Sequence, residues 1–161
     1  MAEHIAILSH KSVLEKILSG EKTIESRFSR VKSLPYGQVS PGDIVYFKLS
    51  GGPVLGFARV ANVEEYEDLT PARVEALGKR YGHELALSQD FLTRKLESKY
   101  VSFIFLEDVQ PCSPWNYKQE GRSGWIILPP EEKTPASEEA ASVATSSQNL
   151  LDFRSVGMEM A

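Results

Sequence analysis

This chain contains the stretch Gly20-Glu21-Lys22-Thr23-Ile24-Glu25-Ser26-Arg27. The residues before it predict a short helix, because Ser12 and Glu15 have the spacing of a capping box and an apolar helical face follows them. Gly20 stands at the end of this helix, where a left-handed conformation costs glycine nothing. The stretch therefore predicts an abrupt change from helix to strand.

The second half of the stretch alternates as a β-strand does and is rich in strand formers. Ile24 and Phe28 share one face of this strand, while Glu25 and Arg27 share the other. Lys22 lies at the mouth of the strand, near enough to join the second face if the turn twists it round. The pattern predicts a strand with one apolar and one charged face.

The charged face has two interpretations. Glu25 and Arg27 can present an acceptor beside a five-donor guanidinium fork, which suits the edge and the phosphate of a nucleotide. Lys22 adds a point charge, or an amine whose pKa falls if it is desolvated. The alternative is an exposed Glu–Arg pair beside a solvated lysine, worth about 1 kcal/mol at most. For an arbitrary strand the second interpretation is the commoner one, because exposed charged faces are common.

A resemblance favours the first interpretation. Gly20, Lys22, Glu25 and Arg27 match the G-x-K-x-x-E-x-R signature of the ASCH domain (activating signal cointegrator homology), a PUA-like β-barrel family. The helix before the motif and the order of elements after it also resemble that family, over roughly residues 4–128. The resemblance implies a cleft, lined by the motif, that takes RNA or a nucleotide.

Length and composition indicate an ordinary globular protein. The chain has 161 residues, of which 42% are hydrophobic and 25% charged, enough for one domain with a core and a tail. We expect no signal peptide, no membrane span and a cytoplasmic location. The single cysteine, Cys112, excludes an internal disulfide. The three histidines lack metal-ligand spacing, so we expect neither a metal nor a cofactor.

The charge is unevenly distributed. Residues 129–161 hold six acidic and two basic residues, a net charge of −4 that equals the charge of the whole chain. Residues 1–128 are therefore neutral, whereas residues 22–59 hold six basic and two acidic residues, a net charge of +4. We interpret residues 129–161 as an acidic, disordered tail and the basic segment as favourable for an anionic ligand.

The remaining elements predict an α+β fold, a small mixed and mostly antiparallel β-barrel with peripheral helices. Helices are predicted over residues 12–19, 70–81 and 88–99, where Thr70 and Ser88 can act as caps. Gly56 within a strand suggests a bulge or the close approach of a ligand. The predicted strands, besides the motif strand, are residues 4–9, 44–49, 54–63, 101–106 and 124–128.

The loop predicted for residues 111–123 carries Trp115, Tyr117, Arg122 and Ser123. Aromatic rings mixed with amide and charged groups are typical of sites that stack nucleobases. An aromatic plug over one end of the barrel explains the rings equally well. We expect Arg122 and Ser123 to add donors to the same cleft.

Three functions remain open. The first is binding of RNA or of a nucleotide or nucleoside by Gly20, Lys22, Glu25, Arg27 and the loop residues. The second and third follow from the resemblance: an acetylcytidine amidohydrolase using Lys22, or a ribonuclease in which Glu25 or Tyr117 acts with Lys22 and Arg27. The amidohydrolase needs a threonine where this chain has Glu25, and only Glu84 roughly matches its downstream glutamate. We favour binding; the sequence identifies neither the ligand nor the oligomeric state.

Overall fold

The computed structural model of this protein describes residues 1–130. Apart from its first two residues, the tail predicted for residues 129–161 lies outside this range, and the domain boundary at residue 128 stays a prediction. The described residues contain six strands and four helices. The strands are β1 Glu3–Leu8, β2 Ile24–Ser29, β3 Ile44–Leu49, β4 Val54–Tyr66, β5 Tyr100–Trp115 and β6 Trp125–Ile127. The helices are α1 Lys11–Ser19, α2 Pro71–Arg80, α3 Gly82–Leu85 and α4 Gln89–Arg94.

The six strands form one curled sheet, a half-barrel, in the order β2-β5-β4-β3-β1-β6. Only β1 and β3 are parallel, and every other neighbouring pair is antiparallel. The predicted α+β fold with a mixed, mostly antiparallel sheet and peripheral helices is therefore confirmed. The edge strands are β2, which carries the motif, and β6, so the motif lies where the barrel is open.

Two apolar clusters flank the sheet. The cluster on the concave face includes Phe47, Ile104 and Trp125, and α1 contributes Leu14 and Ile17 to it. The second cluster lies on the other face of β2 and β5, where α2, α3 and α4 pack. Since successive residues of a strand point to opposite faces, β2 sends Ile24 toward the helices and Glu25 and Arg27 toward the barrel interior.

The helix boundaries correct three predictions. Helix α1 begins at Lys11, and its cap residue His10 makes no side-chain capping bond, so the predicted Ser12–Glu15 capping box was wrong; Ser12 already lies within the first turn. Helix α4 ends at Arg94 rather than at residue 99, because the chain must turn into β5. Helix α3 was not predicted. Thr70 and Ser88 do cap their helices, accepting from the N–H groups three residues on.

Strands β4 and β5 are longer than predicted and pair with register shifts. One shift lies at Gly56, as its sequence context predicted, but the close approach there comes from the protein itself. A Cβ at Gly56 would lie 2.9 Å from Cδ2 of Leu18 and 3.0 Å from the carbonyl oxygen of Gln110. Strand β5 continues to Trp115, so the predicted loop from residue 111 was wrong over its first five residues.

Within the described residues, the helices are too short and too polar for a membrane span.

Two tyrosine hydroxyl groups bind the carboxylate of Glu64 beside the apolar cluster on which α2, α3 and α4 pack. The hydroxyl groups of Tyr66 and Tyr81 both donate to Oε1 of Glu64, and the Tyr81 ring lies 5.3 Å from that of Phe103. The hydrogen bond to Glu64, followed by burial, raises the pKa of Tyr81 to about 12. The folded state thus retains the Tyr81 proton at a pH where the unfolded chain has lost it.

We expect the free energy of unfolding at alkaline pH to depend on the hydroxyl proton of Tyr81. Between the ordinary tyrosine pKa of 10.0 and about 12, the unfolded state binds fewer protons, so the free energy of unfolding falls as the pH rises. Tyr81→Phe keeps the ring packing and removes this contribution, so its urea-unfolding free energy should fall less steeply across that range. Parallel curves for parent and variant would contradict the assignment.

Candidate functional site

Lys22 is a buried lysine. Gly20 ends α1 in the left-handed conformation, with φ of 87° as predicted, and this turn directs the chain so that the Lys22 N–H donates to the carbonyl of Lys16 at 3.0 Å. The Lys22 side chain runs inward, and the residue is 2% exposed. Its ammonium donates to the carbonyl oxygen of Leu85 at 2.7 Å. Lys22 therefore joins α1, β2 and α3.

Glu25 lies between the two cations of the motif. It is 5% exposed, and its carboxylate is 3.8 Å from Nζ of Lys22 and 2.8 Å from Nε of Arg27. A buried carboxylate requires such partners, because burial of an unpaired charge is strongly unfavourable. The interpretation of these residues as a solvated surface pair was therefore wrong.

Arg27 bridges the open side of the barrel. Besides its bond to Glu25, its guanidinium donates to the carbonyl oxygens of Gly124 at 3.1 Å and Ile7 at 3.0 Å. Those carbonyls belong to β1 and to the residue before β6, whereas Arg27 belongs to the opposite edge strand. A Cβ at Gly124 would lie 3.1 Å from Nη1 of Arg27, so glycine gives the guanidinium room. The Arg27 side chain thus connects the two sheet edges.

Buried hydrogen bonds that link Trp125 to His4 and His4 to Asp43 hold the indole ring beneath Arg27 in place. The guanidinium carbon lies 5.3 Å from the centroid of the Trp125 ring, and the indole N–H donates to Nδ1 of His4 at 3.1 Å. Because Trp donates only, Nδ1 is the acceptor and Nε2 of His4 carries the proton, 2.8 Å from Asp43. Burial raises the pKa of Asp43, but hydrogen bonds from His4, Ala2 and Ser40 outweigh it and lower that pKa overall.

One further lysine lies near the motif. Burial, opposed by Glu25, lowers the pKa of Lys22, and the positive charges of Arg27 and Lys16 lower it further. The ammonium groups of Lys16 and Lys22 donate to the adjacent carbonyls of Ala86 and Leu85, while Lys22 and Arg27 share the buried carboxylate of Glu25. We call Lys16, Lys22 and Arg27 the basic cluster. The sequence analysis missed Lys16, which lies outside the segment whose charges it counted.

Two cations of the predicted basic segment lie elsewhere. Lys48 and Arg59 alternate with interior residues of β3 and β4, so they lie on the convex face. Arg59 is half-exposed and pairs with Asp108 at 3.1 Å. The net charge of +4 over residues 22–59 is therefore spread over both faces of the sheet, and only part of it lies at the motif.

The loop residues predicted for the site are distributed differently. Trp115 lies in β5, with its ring 5.4 Å from that of Tyr46, on the convex face rather than beside Arg27. Ser123 precedes Gly124 and exchanges hydrogen bonds with the Trp125 backbone, so it adjoins the Arg27 contact. Within residues 1–130, no hydrogen bond, ion pair or ring contact joins Tyr117 or Arg122 to the motif side chains.

The arrangement limits the chemistry available. Lys22 and Glu25, the predicted catalytic pair, are adjacent and buried, and the lowered pKa of Lys22 is a property that proton-transfer lysines share. The carbonyl of Glu84 accepts the Thr23 N–H at 2.9 Å, but its side chain is exposed. Within residues 1–130, no group of three or more His, Cys, Asp or Glu side chains is arranged to hold a metal ion.

Comparison with known proteins defines the fold class. No family model matches this chain, and no curated protein matches it significantly. Among solved structures, it is similar to ASCH from Zymomonas mobilis, with a TM-score of 0.64 and 22% identity over 87% of this chain and 94% of that one. A serine-to-alanine point mutant of the same protein gives a TM-score of 0.63 and 23% identity over 88% and 95% of the two chains. The chain thus has the fold of an ASCH domain, as the sequence motif predicted.

We expect the Glu25 ion network to contribute strongly to stability. Glu25→Gln preserves shape but leaves the buried Lys22 and the partly exposed Arg27 without a counter-charge, and removing one partner of a buried pair costs about 3–5 kcal/mol. Urea unfolding at neutral pH measures this loss. Glu107→Gln, on an exposed partner of Arg59, is the matched control and should change the free energy of unfolding by about 0.5 kcal/mol or less. Equal effects of the two substitutions would contradict the buried network.

Proposed function

We propose that this protein binds nucleic acid, namely RNA or a nucleotide, through the basic cluster. The observation that carries the proposal is the imbalance of charge at the motif, where Lys22 and Arg27 share the single carboxylate of Glu25 and the Lys16 ammonium lies at the next carbonyl to that of Lys22. Residues 1–128 are neutral as a whole, so this local excess is not a general property of the domain. Its natural counterpart is an anion.

The structural roles of Lys22 and Arg27 do not account for the whole imbalance. Glu25 compensates one positive charge, and the Leu85, Gly124 and Ile7 carbonyls accept hydrogen bonds without compensating any. Lys16 makes only a 3.4 Å contact to the Ala86 carbonyl, and its charge is one of the causes that lower the pKa of Lys22. Perturbed pKa values are frequent at functional sites.

The proposed site keeps Gly20, Lys22, Glu25, Arg27 and Ser123. We leave out Trp115, because its ring packs on the opposite face of the sheet. Tyr117 and Arg122 stay predictions. Lys16 is added because its ammonium donates to the Ala86 carbonyl, next to the Leu85 carbonyl that Lys22 contacts.

Hydrolysis of RNA or of a modified nucleoside is the second candidate, and the lowered pKa of Lys22 is the observation that favours it. A lysine of this kind serves as a general base or nucleophile more readily than a solvated one. Glu25→Gln does not separate the two functions, because it disturbs the fold. Cleavage of a bound RNA, or release of acetate from acetylcytidine, by the unmodified protein would favour the hydrolase.

Binding of short oligouridylates and oligocytidylates at several salt concentrations tests the proposal. Lys16→Gln removes a half-buried cation with little structural role, so we expect weaker binding and a salt slope reduced by about 0.7, the contribution of one phosphate contact to a single strand. Arg27→Lys removes the guanidinium fork and keeps its charge, and should weaken binding by roughly tenfold.

Arg59→Gln is the matched control, because Arg59 belongs to the same sequence segment but lies on the convex face. It should bind as the parent does. Folding of each variant is checked by thermal denaturation. The proposal fails if the parent binds no RNA and no nucleotide, or if Arg59→Gln weakens binding as much as Lys16→Gln does.

A further inference from the structure

Two tyrosine rings and a lysine meet where the loop after β2 approaches the start of β5. The ring of Tyr36 lies 5.3 Å from that of Tyr100, at an interplanar angle of 73°, and both residues are half-buried. The ammonium of Lys32 lies 5.7 Å from the centroid of the Tyr36 ring and 5.8 Å from that of Tyr100. We call these three residues the tyrosine site.

The pairing of β2 with β5 puts the tyrosine site on the same face of the sheet as the motif. Tyr100 is the register partner of Ser29, and Ser102 is the register partner of Arg27. Since the side chains of a strand alternate between its faces, Tyr100 points to the same side as Ser102 and Arg27. Two residues of a strand span roughly 7 Å, so a ligand at Arg27 reaches the ring pair by extending about that far.

Hydrogen bonds hold the loop in place beside this face. The N–H of Gly37, next to Tyr36, donates to Oε2 of Glu65 at 2.9 Å. The same oxygen accepts from the hydroxyl of Ser102 at 2.8 Å, and Ser102 is the buried partner of Arg27 in the strand pair. The loop is therefore anchored to the residue opposite Arg27, which fixes the position of the tyrosine ring relative to the motif.

The polar groups of the tyrosine site have little structural use. Within residues 1–130, the hydroxyl groups of Tyr36 and Tyr100 make no hydrogen bond, and Lys32 forms no ion pair. Lys32 is exposed, and an exposed lysine is only weakly held over an aromatic ring. Its ammonium can therefore leave the rings for a phosphate, and the rings then offer the kind of surface on which nucleobases stack.

Arg27 retains hydrogen-bonding capacity for a phosphate next to that surface. Of the five N–H groups of its guanidinium, three donate to Glu25, Gly124 and Ile7, which leaves two within the described contacts. The side chain is 21% exposed, so these donors are not sealed inside the protein. A guanidinium fork and an aromatic pair on one face match the two halves of a nucleotide.

We propose that Tyr36 and Tyr100 form a base-stacking subsite, in which one base of the ligand takes the place of the Lys32 ammonium while the adjoining phosphate binds Arg27. This inference rests on the proposed function and deepens it, because it assigns a position to the base as well as to the phosphate. It also predicts that sugar and phosphate alone are not sufficient for full affinity.

Isothermal titration with a short oligoadenylate, and with forms of it that lack one base each, tests the subsite. We expect the parent to lose roughly tenfold in affinity when one particular base is removed, the typical worth of stacking on an aromatic ring. Tyr36→Leu should bind the complete oligonucleotide about tenfold more weakly and should no longer distinguish it from that abasic form. Tyr36→Phe keeps the ring and removes an unbonded hydroxyl, so it should behave as the parent does.

Phe91→Leu is the matched control. Phe91 is also half-buried and has a lysine ammonium, that of Lys95, 5.1 Å from its ring centroid, but it belongs to α4, which packs on the other face of β2 and β5. This variant should keep the parent's affinities. The abasic penalty is a ratio measured within one variant, so a change in the amount of folded protein does not alter it.

Equal affinity of the parent for the complete and all abasic forms would overturn the subsite and leave phosphate binding intact. A penalty that persists unchanged in Tyr36→Leu would also overturn it. A second arm follows the tyrosine ring signals by NMR during addition of adenosine, which has no phosphate. If no oligonucleotide binds, shifts of the Tyr36 and Tyr100 signals support the subsite and only the proposed function fails; unshifted signals overturn both.

Discussion

The hydrogen bonds of the Arg27 guanidinium are the interactions on which the rest of this structure depends. It belongs to edge strand β2, yet it donates to main-chain carbonyls of β1 and of the residue before β6, the other side of the open sheet. Glu25 orients it and Trp125 lies beneath it. Without this side chain the Ile7 carbonyl would lose the Arg27 donor, the Gly124 carbonyl would keep only the Ile7 N–H, and Glu25 would be paired with Lys22 alone. The barrel is therefore closed by a side chain rather than by a strand pair.

The ion network of Lys22, Glu25 and Arg27 bears both on the stability of the fold and on the proposed function. A buried ion pair is weak evidence for stability on its own, since hydrophobic residues of similar volume often replace it without loss. What distinguishes this network is its surplus of positive charge and the donors that Arg27 retains at a partly exposed position. A strand face that only needed to be closed would not need Lys16 nearby. This surplus of positive charge is the basis of the proposed binding of an anion.

Local patterns predicted much of this molecule. The left-handed Gly20, the alternation of Ile24 and Glu25, and the caps at Thr70 and Ser88 each depend on neighbours in sequence, and each was confirmed. The structural partners of the charged face could not be predicted, because Arg27 contacts the carbonyls of Ile7 and Gly124, which are distant in sequence. Charge counting along the chain failed for a similar reason: Lys48 and Arg59 lie on the convex face by strand alternation, whereas Lys16 reaches the motif from α1.

The central claim is that Arg27 is held by the protein and still faces the ligand. Nitrogen-15 NMR of the arginine side chains tests it most directly, with Arg59 as the internal reference. We predict that the Nε–H of Arg27 exchanges slowly with water in the free protein, and that its guanidinium signals shift when a short oligouridylate is added, while those of Arg59 exchange quickly and do not shift. Exchange of Arg27 as fast as that of Arg59, or Arg27 signals unchanged by an RNA that binds, would contradict the claim.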